Sequence, residues 1–557
     1  MLNTARKTIP IATEESDFPQ LAIPAHLKKT ETDFTILTRF SPQQLFWGFI
    51  TLHLFLWTLI PTLVSPNVPL DVIEGFAWGH EWLIGTYKHP PMQAWWLETL
   101  ATLTYRAPWA HFLASQIAVV TAFWAVWQTG RRLTTETNAL LGAMLLEGVI
   151  YYNFTTPEFN PNVLQLPFWA LMIWSFHRAV KENRWYDWAQ FGVWASGAMY
   201  TKYSSLLIIG VLGSLLVFHP EARRRWRDTG PYLSMLVAVA LLLPHLQWLI
   251  AQDFLPLTYA QSRIEPSTAW YEHITAPLGF LRSQIVAVLF CVILFLALVG
   301  FRNLKLKPFP HSKFSFDDVF LHTITWAPKV ALLVMSTLTG DRLRDMWGSS
   351  LWNFIGLWLI IFIQPTSGRI HLPRFVKSWA VVSLLGLIAG GCSTVLGPYL
   401  GYPTQRQHFP GRAAAEQITN IWNARFQKTL ISNPPPQPLT YIIGDTWLAG
   451  NVAYYTPSST TGTRPHVSIF GNIIISPWAR LEDIAAKGGV IVWCNERCTD
   501  ATATLNVPSN LLDIFPAAEI QQPLILPRQT HADVPPATIG WAIIPPGMKN
   551  KLKRIIH

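Results

Sequence analysis

The chain reads as an α-helical polytopic membrane protein, a bundle of about eleven transmembrane helices followed by a C-terminal α/β domain on the outer face. Three observations carry this reading. Half of the 557 residues are hydrophobic and only 13% are charged, against roughly 25% charged in soluble domains. Apolar segments recur up to residue 400, at 44–64, 109–129, 137–153, 162–180, 187–201, 203–219, 230–251, 276–300, 319–339, 350–364 and 376–400. The longer ones approach the ~20 residues that a spanning helix needs, and beyond residue 400 such runs stop.

The elements follow in order. Residues 1–43 are polar and of mixed charge, a cytoplasmic N-terminal segment. No basic stretch leads straight into a cleavable apolar core, so no signal peptide is expected. Residues 44–400 form the membrane domain. Its basic residues collect in alternate loops: Arg131 and Arg132; Lys181 and Arg184; Arg223, Arg224, Arg225 and Arg227; Arg302, Lys305, Lys307 and Lys313; Arg369, Arg374 and Lys377. Short basic loops resist translocation, so these face the cytoplasm, and they supply much of the net charge of +10. A solvated surface that anchors topology accounts for them without nucleic acid.

An odd number of spans puts residues 401–557 on the outer face. This tail gains Pro, Asn and Thr and carries short β-like runs, TYIIGD and GGVIVWC, bounded by NPPPQP and RPHVSIFGN. That pattern predicts a small α/β domain. Cys494 and Cys498 lie in it with C-x-x-x-C spacing, suited to a local disulfide in an oxidising compartment; a zinc site would need more ligands nearby. Cys291 and Cys392 fall inside apolar runs, as packing residues. Gly444 and Asp445 follow a short strand, where Gly-Asp reads as a turn.

Residues 65–108, the first outer loop, are longer and more aromatic than a connection needs. If DVIEGFAWGHEW within it is helical, Asp71, Glu74, Trp78 and Glu81 share one stripe, and Ile73, Phe76, Ala77 and His80 another. Such a helix would lie flat on the membrane with its carboxylates toward water. The sequence KHPP breaks it, and Pro91 is placed to open the next helix. One reading is an amphipathic lid with solvated acids. The other is a site, because acids at membrane level are costly unless employed, and burial beside aromatics raises an Asp pKa so that it takes a proton from a hydroxyl.

The pattern D-x-x-E followed by G-x-Y-K-H-P-P-x-x-A-W in the first outer loop resembles the bacterial members of glycosyltransferase family 39, which have the GT-C architecture. These include the protein O-mannosyltransferases, the lipid A aminoarabinose transferase and related enzymes using polyprenyl-phosphate sugars. TTPEFNPNVLQLPFWALMIWSFHRA, MYTKYSSLLI, LLPHLQWL, GDRLRDMWGSSLW, QHFPGRAAAEQIT and IIGDTWLAGNVAYYTP extend the resemblance over most of the chain. It departs from the family at Asn160, where Asp is commoner. The resemblance implies an enzyme in a bacterial inner membrane with its active site and C-terminal domain facing the periplasm. Its partners would be a polyprenyl-phosphate sugar donor, the lipid bilayer, and a glycolipid or protein acceptor. Asp71 would be the catalytic base, Glu74 its acidic neighbour, and Lys88 and Lys202 the cations facing the donor phosphate.

The residues themselves support parts of this and leave others open. A leaving phosphate gains a second negative charge, which a fixed cation stabilises in a dry site. Lys202 either serves that charge or snorkels to the interface. Arg342 and Arg344 would serve the same anion or pair with Asp341 and Asp345. Tyr87, Trp78, His89, Glu158, Asn160 and Tyr203 are the candidate pocket wall. Glu147 reads as a structural intramembrane acid, and His245 and Gln247 as interhelical glue or pocket lining. His80 and His89, with Asp71 and Glu74, have the donor types of a divalent-metal site without a strong ligand motif.

A glycolipid acceptor of lipid A or lipopolysaccharide type is favoured over protein, because no docking module is recognisable. Two other classes compete. A flippase would show repeated halves and mid-membrane acids. An O-antigen ligase would lean on arginines in a late outer loop, whereas basic residues on this outer face are few.

Overall fold

The structure, a computed structural model, describes residues 39–263, 267, 269–301, 304–306, 315–365, 370–402, 405–426, 437–457, 464–495, 498 and 508–547. Most of the expected N-terminal segment, Arg302, Lys307, Lys313 and Arg369, and most of NPPPQP lie outside them.

The membrane domain begins with α1 (Pro42–Val64), where Ser41 and Gln44 close a reciprocal cap, satisfying two N–H groups that a helix start leaves open. Then come α2 (Leu70–Gly79), α3 (Met92–Leu103), α4 (Ala110–Leu133), α5 (Glu136–Leu145), α6 (Pro161–Glu182), α7 (Trp185–Thr201), α8 (Leu206–Phe218), α9 (Pro220–Arg223), α10 (Gly230–Ala251), α11 (Leu255–Ser262) and α12 (Glu272–Val299). A two-stranded ribbon of β1 (Leu304–Leu306) and β2 (Ile363–Pro365) frames α13 (Phe316–Thr339) and α14 (Ile355–Phe362), and α15 (Leu372–Val395) completes the domain.

Every expected span coincides with helix, but by length and apolarity six helices qualify as crossings: α1, α4, α10, α12, α13 and α15. The bent pair Tyr203–Phe218 and Pro220–Arg227 makes a seventh. The remaining expected spans, 137–153, 162–180, 187–201 and 350–364, are shorter or more polar helices. Helix α6 shows why: nearly all its residues are buried, so neighbouring helices shield its Asn, Gln and His side chains from lipid. Conversely α10 and α15 expose most of their apolar side chains. Inside the bundle Glu147 is buried with His53, whose Nδ1 lies 2.8 Å from its carboxylate.

The C-terminal region holds α16 (Gly411–Phe426), β3 (Tyr441–Gly444), α17 (Thr446–Tyr455), β4 (His466–Ile469), α18 (Leu481–Lys487), β5 (Gly489–Trp493), α19 (Ser509–Ile514), β6 (Glu519–Ile520), β7 (Leu524–Leu526) and β8 (Ala537–Ile544). The sheet runs β4-β3-β5-β8-β6, with β7 also on β8. Strand β3 is parallel to β4 and β5, and β8 is antiparallel to β5. Strand β8 is buried along all eight residues, which explains its unbroken apolar run. Cys494 and Cys498 are disulfide-bonded.

This domain sits on the first outer loop, and that contact corrects one expectation. The acids of this segment are not turned to water as an amphipathic surface helix would turn them: Glu74 is buried and Asp71 and Glu81 are half-buried. Val72 to Gly79 are all buried, because α17 covers the helix: the Phe76 and Tyr454 rings stack at 4.7 Å, and a Cβ on Gly450 would come within 2.4 Å of the Ile73 side chain. Only glycine allows that approach. Opposite-charge pairs join the other ends of the helices, Arg132 with Glu182 and Lys181 with both Glu221 and Asp317. The basic loops and the sheet domain thus occupy opposite faces of the bundle.

Candidate active site

The site is built where three backbone breaks meet: the start of α2, the turn before α3, and the start of α6. Pro91 stands at the N-cap of α3, as expected. The preceding turn is organised by Thr86, whose hydroxyl donates to the His89 carbonyl at 2.8 Å and accepts from the His89 and Lys88 N–H groups. Gln93 ties the three breaks together, donating to the Asp71 carbonyl at 2.8 Å and to the Phe159 carbonyl at 2.9 Å.

Two acids meet at the first turn of α2. Glu158 accepts the Asp71 N–H at 3.3 Å, a carboxylate at the positive end of a helix dipole. Burial, reinforced by the charge of Asp71, pushes the Glu158 carboxyl up to about 7. The Asp71 carboxylate makes no hydrogen bond with a described residue, so its lone pairs remain available. One turn on, buried Glu74 takes the Lys88 ammonium at 2.7 Å. Burial pushes Glu74 up against that ammonium. Burial would lower Lys88, but Glu74 outweighs it and holds the lysine above its ordinary value.

Lys202 follows α7 at the same level. Its Nζ donates to Asn162 at 2.7 Å and lies 5.7 Å from the centre of the Trp347 ring. Burial lowers its pKa to about 8, Asp71 opposing. His89 is held well below its ordinary value by burial and by Lys88 and Lys202, so a neutral imidazole sits near the two cations. Together these residues gather one carboxylate without a hydrogen bond among the described residues and two ammonium groups, one held by Glu74 and the other by Asn162.

The other expected residues fall around this centre. Asn160 caps α6, its Oδ1 accepting from Asn162 and Val163, a role that Asp fills equally well. Trp78 is 2% exposed and stands edge-on behind Tyr87 at 6.0 Å. Burial pushes the Tyr87 hydroxyl up to about 12. Tyr203 is hydrogen-bonded to His245, whose other nitrogen lies 2.7 Å from the Ile84 carbonyl; His245 therefore ties α10 to the outer loop, while Gln247 is exposed. Arg342 is exposed and pairs with Glu272 at 3.7 Å rather than Asp341. Arg344 is exposed too, three residues before Trp347. His80 is parted from His89, Asp71 and Glu74: it sits at the far end of α2 beside Glu81 and His466.

Several contributors went unnoticed in the sequence. Thr86 and Gln93 act through backbone groups, which no motif announces. Asp445, which the sequence marks only as part of a turn, accepts from the Trp447 and Leu448 N–H groups as the cap of α17, and that cap starts the helix that covers α2. Buried Lys329 donates to the carbonyls of Thr325 and Leu351 and lies 4.2 Å from the Trp352 ring centre, fixing the loop that carries Trp347. A lysine within an apolar run was its signal.

Residues 88–248 match the family model of dolichyl-phosphate-mannose-protein mannosyltransferases. No curated protein matches the chain. Among solved structures, ArnT from Cupriavidus metallidurans bound to undecaprenyl phosphate is 11% identical with a TM-score of 0.55, over 90% of this chain and 98% of ArnT. The arabinofuranosyltransferase AftD from Mycobacteria is 13% identical with a TM-score of 0.46, over 91% of this chain and 40% of AftD. The Archaeoglobus fulgidus oligosaccharyltransferase in the apo form is 12% identical with a TM-score of 0.35, over 75% of this chain and 64% of the transferase.

Proposed function

We propose that the chain is a membrane glycosyltransferase of the GT-C class, a reading supported by the family match over residues 88–248 and by the ArnT-like fold, and that it moves a monosaccharide from a polyprenyl-phosphate donor to an acceptor hydroxyl. The observation that carries this reading is that the Asp71 carboxylate, without a hydrogen bond among the described residues, lies within electrostatic reach of both Lys88, held by Glu74, and Lys202, held by Asn162. Asp71 takes the acceptor proton as the hydroxyl oxygen attacks the anomeric carbon. The bond from that carbon to the phosphate oxygen breaks, and polyprenyl phosphate leaves with one more negative charge. Lys202, whose ammonium is short of counter-charge, stabilises that charge most directly, and Lys88 shifts from Glu74 to share it. A single displacement of this kind inverts the anomeric configuration.

The undecaprenyl phosphate held by ArnT supports a donor lipid of that class. We place the enzyme in a bacterial inner membrane with the sheet domain on the periplasmic face, since the basic loops occupy the opposite face. A glycolipid of lipid A or lipopolysaccharide type is the preferred acceptor, with protein the second. The test is transfer from radiolabelled polyprenyl-phosphate sugars to membrane extract. Asp71→Asn is expected to lower the rate at least 100-fold while donor binding persists; full activity in that variant would remove the base. Label in lipopolysaccharide rather than protein identifies the acceptor.

A further inference from the structure

His80 directly follows α2, Glu81 comes next, and His466 opens β4 of the sheet domain. Each brings one ligand atom within 4.8 Å of the others. Nδ1 of His466 lies 2.7 Å from Glu81 Oε1, and the two imidazole centres are 5.1 Å apart. On His80, Nδ1 is 3.9 Å from Glu98 Oε1, while Nε2 is buried without a hydrogen-bond partner. A buried, unpartnered ring nitrogen is costly unless something takes its lone pair or proton.

The surroundings hold this group in place. Arg464, 3% exposed, donates to the Phe76 carbonyl and to Glu98 Oε2, both at 2.8 Å. Glu98 therefore turns one oxygen to Arg464 and the other toward His80, the arrangement in which a carboxylate orients a metal-bound histidine. Two imidazoles and a carboxylate are a zinc donor set, with water free to supply the fourth ligand. Bonds of ~2.0 Å need ligand atoms about 3.3 Å apart, which side-chain rotation reaches from the present spacing.

We propose that His80, Glu81 and His466 bind one divalent transition-metal ion, zinc by donor type, and that the ion fastens the sheet domain to the C-terminal end of α2. Nine residue steps along α2 separate His80 from Asp71, about 13 Å at 1.5 Å per residue, so the ion braces the catalytic helix without touching the reacting atoms. Its test is independent of the sugar chemistry.

The full chain, purified without a polyhistidine tag and stripped with a chelator, is titrated with zinc against a chromophoric chelator. Wild type is expected to bind one equivalent, to unfold at higher temperature when loaded, and to give the visible absorption of four-coordinate Co2+ on cobalt substitution. His466→Gln, which keeps a hydrogen-bonding partner for Glu81, is expected to bind at least 100-fold more weakly, with the metal-free unfolding temperature unchanged. If that variant does not fold, Glu81→Gln reads the same loss. His273→Ala, at a histidine on α12, keeps the equivalent. Absence of a tight equivalent in wild type, or equal binding by wild type and His466→Gln, overturns the proposal.

Discussion

At the residue scale, the proposed chemistry turns on an asymmetry between neighbouring acids. Asp71 and Glu158 share the first turn of α2, and Glu158 is the one whose carboxyl is pushed up to about 7, by burial and by Asp71. Its unfolded value is near 4.5. Between these values the folded chain holds a proton that the unfolded chain releases, so this group's contribution to stability falls as pH rises from about 4.5 to about 7 and stays lost above that. Glu158→Gln is therefore expected to stabilise the folded chain more at pH 8 than at pH 5, by up to roughly 3 kcal/mol at the higher pH, read as a larger rise in unfolding temperature. In wild type, ionising Glu158 places a second negative charge beside the acceptor proton, which favours its removal, so transfer rises with pH through about 7. The pH–rate profile of Glu158→Gln should lack that rise. Lys202→Met is expected to weaken donor binding and slow transfer together, because one dehydrated ammonium serves both ground state and leaving group. An unchanged rate would assign the phosphate to Lys88 alone.

At the element scale, helix ends position the chemistry. Asn160 starts α6 just where Asn162 must receive Lys202, so Asn160→Ala is expected to cost about 1 kcal/mol and to lower activity, whereas Asn160→Asp should preserve both; thermal unfolding and transfer rates decide. The position departs from the resembled family's Asp without loss of the cap, since both side chains offer the same acceptor oxygen. Helix α2 shows the limit of pattern reading. Its period was legible and its boundaries close to expectation, but the amphipathic stripe suggested a solvent-facing edge that α17 covers. Hydrophobic periodicity reports that a face is buried, not whether a distant segment will bury the other face as well. The same limit applies to α6, where polar residues in a buried helix depress hydropathy.

At the scale of the whole molecule, the sheet domain and the membrane bundle meet through a buried ion pair, Arg464 with Glu98. Breaking such a pair from one side leaves an uncompensated charge, so Arg464→Ala is expected to destabilise by about 3–5 kcal/mol and to expose α2 to limited proteolysis. Arg464→Met combined with Glu98→Leu should recover much of that loss. If the single variant unfolds like wild type, the domain contact is held by packing alone. Gly450→Val offers a separate check, since its side chain would wedge α17 from Ile73 and lower activity while leaving the pocket residues intact.

The sequence by itself determined the membrane class, the alternation of basic loops and the strand pattern of the C-terminal region, because hydropathy, charge and short-range spacing are properties of consecutive residues; it offered the Cys494–Cys498 disulfide and left its formation to the structure. It also brought Asp71, Glu74 and Lys88 forward, since one short loop carries them. Only the tertiary structure decided that Glu158 faces Asp71, that Lys202 arrives on Asn162 and Trp347, that His80 leaves His89 for His466, and that Arg342 turns to Glu272. Those pairings join residues from tens to hundreds of positions apart, and which distant charges meet is set by how helices pack and domains dock, a long-range outcome that no local pattern encodes.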